Sequence, residues 1–255
     1  MLINSLILKE DGVHPGGGLG DYIRGSLACY QFAKTYNIPF AMDLANHPIS
    51  NYIIGHKITR YPKVISMFSW PKEQIENLIA NHCYSENNPL VVYSNAVPRY
   101  PISNECKEYV RSQLTPIKQL EGELPVGNYH ALHIRSGDNI GFSTDDSKVE
   151  ELLNSIGKNI EEILKKTGAE KIITVSDSLC LKKLLKKRYN IEYMNTVPTH
   201  SELLTCNTYD LLIDFFTLQN SKHIYQFTNA QHYWGSGFSD SASWLRNVPV
   251  TKFKY

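Results

Sequence analysis

One feature constrains this chain more than any other: its hydrophobic period switches back and forth along almost the whole length. Short apolar runs of strand length are LINSLILK (2–9), IPFAMDL (38–44), PLVVYS (89–94), the segment 129–135, KIITVS (171–176), IEYM (191–194) and KHIYQF (222–227). Between them lie stretches whose apolar residues recur at helical spacing, at 21–36, 71–82, 102–114, 147–166, 177–188, 205–219 and 238–246. Strands separated by whole helices pair in parallel, because an antiparallel pair needs only a tight turn. The predicted class is therefore α/β, with mostly parallel sheets covered by helices on both faces. The 255 residues suit one large domain or two small ones. The stretch TPIKQLEGELPVGN (115–128), with two Pro and two Gly, is the best linker, which predicts a division into 1–118 and 119–255.

Charge and cysteine usage exclude several classes. Twenty-six basic residues face 25 acidic ones, so nothing suggests a polyanion-binding protein or a nucleic-acid partner. The densest basic run, LKKLLKKR (181–188), places Leu181, Leu184 and Leu185 at helical spacing and reads as the solvated face of an amphipathic helix. Cys29, Cys83, Cys106, Cys180 and Cys206 are odd in number and widely spaced, and Cys29 and Cys180 read as small core residues. A reducing compartment is expected. The opening MLINSLILKEDG lacks a basic segment and is too short for a signal peptide. No run reaches the ~18 apolar residues of a membrane span. A soluble, intracellular, cytoplasmic protein is the expectation.

In open α/β sheets, ligands bind where strands end and loops lead into helices. Segments of that kind with unusual chemistry are 12–21, 133–140 and 176–178, and 234–241 opens the last helix. HPGGGLGDYIRG (14–25) holds Gly16, Gly17, Gly18, Gly20 and Gly25. Glycine permits close backbone approach to a ligand, and N–H groups at a helix start suit an anion or a sugar. The dinucleotide template fails at Ile23, and the phosphate-loop template fails at Ser26. A plain strand-to-helix turn is the alternative.

HIRSGD (133–138) is sharper. On a strand, His133 and Arg135 share one face and Ile134 takes the other. Arg is suited to bidentate phosphate recognition; an Arg135–Asp138 ion pair is the competing reading. His130 and His133 face opposite ways and make no metal pair. In TVSDS (174–178), Asp177 is either the cap of the next helix or a carboxylate that accepts from a base or ribose. In WGSGFSDSASWL (234–245), Ser236, Ser239 and Ser241 surround Phe238 at a helix start, where they either cap the helix or bind phosphate. No D-x-D, H-E-x-x-H or zinc-spaced Cys/His cluster occurs, and Asp145 and Asp146 are adjacent rather than spaced, so no metal is expected. No G-x-S-x-G elbow occurs either.

Taken together, these segments resemble the fucosyltransferase superfamily of α-1,2-, α-1,6- and protein O-fucosyltransferases. GGGLGDYIRGSLACYQFAKTYNIPF (16–40) looks like the family's Gly loop and Ala-rich helix. HIRSGD is similar to its H-x-R-R-G-D motif, and ITVSDS to its later strand ending in S-D or T-D. LLIDFFTLQNSKHIYQFTNAQHYWGSGFSDSASWL (211–245) resembles its closing block, with S-S-F-S before a helix. The matches keep the family's order over about 230 residues. The resemblance implies a GT-B fold, two Rossmann-like lobes facing across a cleft, with the acceptor lobe at 1–118 and the nucleotide-sugar lobe at 119–255. It implies a GDP-sugar donor, most often GDP-fucose, used with inversion and without metal or other cofactor. The acceptor would be a glycan or another hydroxyl compound. Carried over, Arg135 would hold the donor β-phosphate, and His133 and Asp138 would shape its pocket. Ser176 and Asp177 would meet the nucleoside. Ser236, Phe238 and Ser239 would bind diphosphate or pack on guanine, and Gly18, Gly20 and Asp21 would line the cleft.

That assignment fits the chemistry. Sugar transfer develops charge on the leaving diphosphate, and without metal a guanidinium and helix-start donors must stabilise it. A base could also take the acceptor proton; Asp21 is the first candidate and His14 the second. Ser136 stands where many relatives carry a second Arg, and Asp21 where Asn is usual. The rival readings are the same fold with a different nucleotide-sugar, and a non-catalytic relative that binds GDP or a sugar.

Overall fold

A computed structural model of the chain describes residues 1–7, 18–55, 64–136, 146–168, 170–197, 207–230 and 235–255. It falls into two compact units, Met1–Gly122 with His200–Tyr209, and Glu123–Thr199 with Asp210–Tyr255.

In the first unit, β1 (Leu2–Ser5), β2 (Phe40–Asp43), β4 (Ile65–Met67) and β5 (Leu90–Ser94) form a sheet in the order β2-β1-β5-β4. Every pair is parallel. The helices are α1 (Leu19–Thr35), α2 (Lys72–Asn81), α3 (Asn104–Gln113) and α4 (Lys118–Glu123). A small antiparallel pair, β3 (Ile53–Ile54) with β6 (Thr115–Pro116), lies apart from the main sheet. The stretch read as linker thus carries β6 and α4. Leu2, Leu90, Val92 and Met67 of the strands pack on Ala28, Cys29 and Phe32 of α1 and on Ile75 and Ile79 of α2, and that shared apolar burial holds the layers together. Ser103 caps α3, its Oγ accepting from Cys106 N–H at 3.2 Å.

Gly25 is the reason α1 can approach the sheet. A Cβ there would lie 1.6 Å from the Ser94 carbonyl oxygen. Its role is helix–strand packing rather than loop flexibility at a ligand. The polar residues of β1 have a similar logic. Asn4 donates to Ser26 Oγ at 2.8 Å and accepts from Ser94 N–H at 3.0 Å, which ties β1, α1 and β5 together in the interior.

The second unit contains β7 (Tyr129–Arg135), α5 (Asp146–Thr167), β8 (Lys171–Ser176), α6 (Leu179–Tyr189), β9 (Glu192–Tyr193), α7 (Thr208–Gln219), β10 (Ile224–Thr228), α8 (Gly237–Arg246) and β11 (Val250–Lys254). The sheet order is β11-β10-β7-β8-β9, parallel throughout. The chain winds outward from β7 through β8 to β9, then returns to the opposite side of β7 for β10 and β11. The order therefore reverses between β7 and β10, the kind of crevice at which open α/β sheets bind ligands. Leu132, Ile134, Ile172 and Phe227 of the strands pack against Leu153, Ile156, Leu181 and Leu185 of the helices.

One strand, β11 (the VTKFK segment), has no counterpart in the sequence reading, and one expectation needs correcting. The basic run on α6 is not wholly solvated: Lys182 is fully buried, and its ammonium donates to Thr196 Oγ1 at 2.6 Å and stands 3.5 Å from Asp214 Oδ2. No described helix is long and apolar enough to cross a membrane.

Candidate functional site

β7 builds the site because of its alternation. Ile134 is buried in the core, while His133 and Arg135 share the other face at the strand's carboxyl end. Arg135 stands in register with Thr228 of β10, and His133 with Gln226.

Arg135 pairs with Asp177, just past the end of β8. The other carboxylate oxygen of Asp177 accepts from the Ser136 N–H at 2.7 Å and the Ser136 hydroxyl at 2.6 Å. Tyr255, next to the end of β11, donates from its hydroxyl to the Arg135 carbonyl at 2.6 Å. Asp177 is therefore not the cap of the following helix. Ser178 is, with its Oγ accepting from Leu181 N–H at 3.3 Å. Ser176 accepts from Ser178 N–H at 3.2 Å and so shapes the same turn. The ion partner weighed for Arg135 in the sequence, Asp138, lies outside the described residues, as does His14.

On the β10 side, α8 begins at Gly237 with Ser236 as its extended N-cap, whose side chain makes no capping hydrogen bond among the described residues. Its first-turn N–H groups and the positive end of its dipole suit an anion. Gly235 precedes it at φ +84°, a left-handed conformation that favours glycine. The Ser239 hydroxyl is turned inward, 2.8 Å from His133 Nδ1 and 2.6 Å from Gln226 Nε2, rather than outward to a phosphate. Phe238 is half-buried. Its ring centroid lies 6.2 Å from that of His133 and 5.4 Å, edge-on, from that of Phe215 on α7. Burial keeps His133 neutral, its pKa lowered to about 4; Asp177 opposes the shift, and Arg135 and Lys182 add to it.

The structure thus brings together His133, Arg135, Asp177, Ser176, Ser236, Phe238 and Ser239 in the second unit. They set a partly exposed guanidinium, a helix start and an aromatic ring around the switch point of one sheet, an arrangement that can take an anion and a flat ring. Sequence reasoning missed Gln226, Asp240 and Tyr255. Gln226 sits in an apolar run with nothing nearby to mark it, and Asp240 reads as an ordinary first-turn acid.

Gly18, Gly20 and Asp21 belong to the first unit. Gly18 is the N-cap of α1. Asp21, three residues on, accepts from the Gly18 backbone N–H and pairs with Arg24 at 2.6 Å. Burial raises its pKa, and Arg24 and that N–H oppose the rise. Arg24 also donates to the Asn95 carbonyl at 2.9 Å. Among the described residues no group of three or more His, Cys, Asp or Glu stands together as a metal site.

No family model matches the sequence, and no curated protein matches it. Solved structures do match in fold. The fucosyltransferase NodZ from Bradyrhizobium superposes with a TM-score of 0.60 at 12% identity, covering 99% of this chain and 95% of that one. NodZ α-1,6-fucosyltransferase soaked with GDP-fucose gives 0.57 at 14% identity over 99% and 94%. An Arabidopsis thaliana FUT1 variant in complex with GDP gives 0.57 at 10% identity over 98% of this chain and 69% of that one. Two Rossmann-like units with parallel sheets, matched almost end to end by the two NodZ structures, give the chain a GT-B-like α/β fold.

Proposed function

We propose that the protein is an inverting, metal-independent glycosyltransferase that moves L-fucose from GDP-fucose to a hydroxyl of a glycan or a smaller acceptor. The observation that carries this reading is that Arg135 ends β7 and the start of α8 follows β10, the two strands that flank one switch point. Solved proteins of the same fold hold GDP-fucose and GDP.

In this reading the diphosphate lies between Arg135 and the first turn of α8. Arg135 leaves part of its interaction with Asp177 to donate to the β-phosphate, whose charge grows as the glycosidic bond breaks. The α8 N–H groups share that charge, which supplies the stabilisation a divalent cation gives elsewhere. Phe238 offers its half-exposed face to the base. Asp177 holds Arg135 in its rotamer and contacts the nucleoside. The acceptor hydroxyl attacks from the face opposite the diphosphate, which inverts the anomeric carbon, and a general base takes its proton; Asp21 is the candidate for that base. The burial that raises the Asp21 pKa makes that carboxylate a stronger base than an exposed one.

The test is calorimetric titration with GDP, UDP, CDP and GDP-fucose in excess EDTA. Binding of GDP and GDP-fucose alone supports the assignment. Preference for UDP or CDP changes the donor, and binding of none refutes the site.

A further inference from the structure

A chain of polar groups runs from solvent to His133 through the interior of the second unit. His133 on β7, Gln226 on β10 and Lys252 on β11 stand in one cross-strand register. Lys252, partly exposed, lies 2.9 Å from the Asp240 carboxylate on α8. Gln226 Nε2 is 2.9 Å from Asp240 Oδ1 and 2.6 Å from Ser239 Oγ. Ser239 Oγ is 2.8 Å from His133 Nδ1.

The direction of each proton from Lys252 to Ser239 follows from the outer end of this chain, and the last one is set by distance. An ammonium only donates, so the Asp240 carboxylate accepts. A carboxylate only accepts, so Gln226 must turn its NH₂ toward Asp240. The same nitrogen faces Ser239, so its second hydrogen goes there and Ser239 Oγ accepts it. The single hydroxyl hydrogen of Ser239 is left with two partners, His133 Nδ1 at 2.8 Å and the Ser236 carbonyl at 3.5 Å. The nearer one takes it. Nδ1 then offers its lone pair, and a neutral imidazole carries its proton on Nε2.

We infer that Lys252, Asp240, Gln226 and Ser239 are positioning residues that lock His133 as its Nε2–H tautomer, presenting a hydrogen-bond donor to an acceptor atom of the bound nucleotide. The functional half of this inference rests on the donor-site reading above; the lock does not. Two further observations support the lock. Gln226 Oε1 is buried with no partner among the described residues, so the amide is held by its nitrogen alone. Flipping the amide would set that oxygen against the Asp240 carboxylate. Gly235 also makes room for the chain, because a Cβ there would stand 2.7 Å from Gln226 Oε1 and 3.2 Å from Lys252 Nζ. Neutrality of the ring at pH 7 agrees with its burial.

The experiment is long-range proton–nitrogen correlation NMR on the full chain labelled with ¹⁵N-histidine, with the His133 signals identified by their loss in His133→Gln. The lock predicts one tautomer at pH 7, protonated at Nε2 and bare at Nδ1. An Nδ1–H pattern, or an averaged mixture in the unsubstituted protein, overturns it. In Gln226→Met, which removes the donor that forces Ser239 to accept, the two ring nitrogens should move toward averaged shifts. An unchanged pattern there removes Gln226 from the chain. Adding GDP should slow exchange of the Nε2 proton and shift its resonance. A locked His133 that ignores saturating GDP overturns its role toward the nucleotide and leaves the lock standing. No GDP binding by calorimetry refutes the donor site itself.

Discussion

Arg135 and Asp177 close the ends of β7 and β8. The guanidinium engages one carboxylate oxygen, and Ser136 fills the other with its N–H and its hydroxyl. Arg135 is 29% exposed and Asp177 14% exposed, so this pair borders solvent and does not hold the core. Its contribution to stability is at most about 1 kcal/mol. Arg135→Ala is therefore expected to leave the urea midpoint almost unchanged while removing nearly all transfer and weakening GDP at least tenfold. Near-normal turnover in that variant contradicts the site.

Ser136 has a task of its own in this pair. It orients Asp177, which in turn holds the Arg135 head. Ser136→Ala removes one hydrogen bond and should cost about 1 kcal/mol of stability. The measurement that matters is KM for the donor against kcat. A looser Arg135 weakens donor binding, so KM should rise several-fold; a change confined to thermal stability would make Ser136 structural only.

Gly25 lies inside α1, where alanine is ordinarily better by about 1 kcal/mol. Here the Ser94 carbonyl occupies the space, 1.6 Å from the missing Cβ. Gly25→Ala should destabilise the protein by about 3 kcal/mol or abolish soluble expression, because α1 must move off β5. A neutral or stabilising result would mean that α1 does not pack as described.

Lys182, Thr196 and Asp214 join α6, the segment after β9 and α7 in the interior. Thr196 Oγ1 donates to Asp214 Oδ1 at 2.8 Å and lies 2.6 Å from the Lys182 ammonium. Removing one ion of a buried pair strands the other, so Lys182→Met should cost about 3–5 kcal/mol. Replacing both, as Lys182→Met with Asp214→Leu, should recover most of that loss. A double-mutant cycle by urea denaturation measures the coupling, and additive losses would show that the two charges do not interact.

The fold was legible where local period and global topology agree. β7, β8 and β10 are short apolar runs in a continuous alternation with helices, and each lies within two residues of its predicted bounds. The sequence offers Ser103 or Asn104 as the cap of α3, and the structure takes Ser103. β11 was not legible, because Val250 and Phe253 are its only apolar residues and neither an apolar run nor an apolar alternation marks it. Lys182 was not, because its partner Asp214 lies 32 positions later in the sequence and only the fold brings them together. In the site, HIRSGD marked Arg135 and His133. The partner of Arg135 comes from the turn after β8 and that of His133 from α8, and no local pattern announces either pairing.

Two buried groups should give opposite pH signatures in one window. The pKa of His133 falls from 6.5 to about 4 on folding, chiefly through burial. Between those values the unfolded chain binds more protons, so the contribution of His133 is present above pH 6.5 and is lost as pH falls through 4. The pKa of Asp214 rises from 3.8 to about 6, again chiefly through burial, with Lys182 and Thr196 opposing. There the folded chain binds more protons, so its contribution is present below pH 3.8 and is lost as pH rises through 6. Each amounts to about 3 kcal/mol, and between pH 4 and 6 they nearly cancel. Urea midpoints at pH 4, 5, 6 and 7 should therefore separate the variants by slope. Relative to the unsubstituted protein, His133→Gln should gain stability on acidification, and Asp214→Asn should lose it more steeply. Parallel profiles in all three proteins would mean that neither group shifts its pKa on folding.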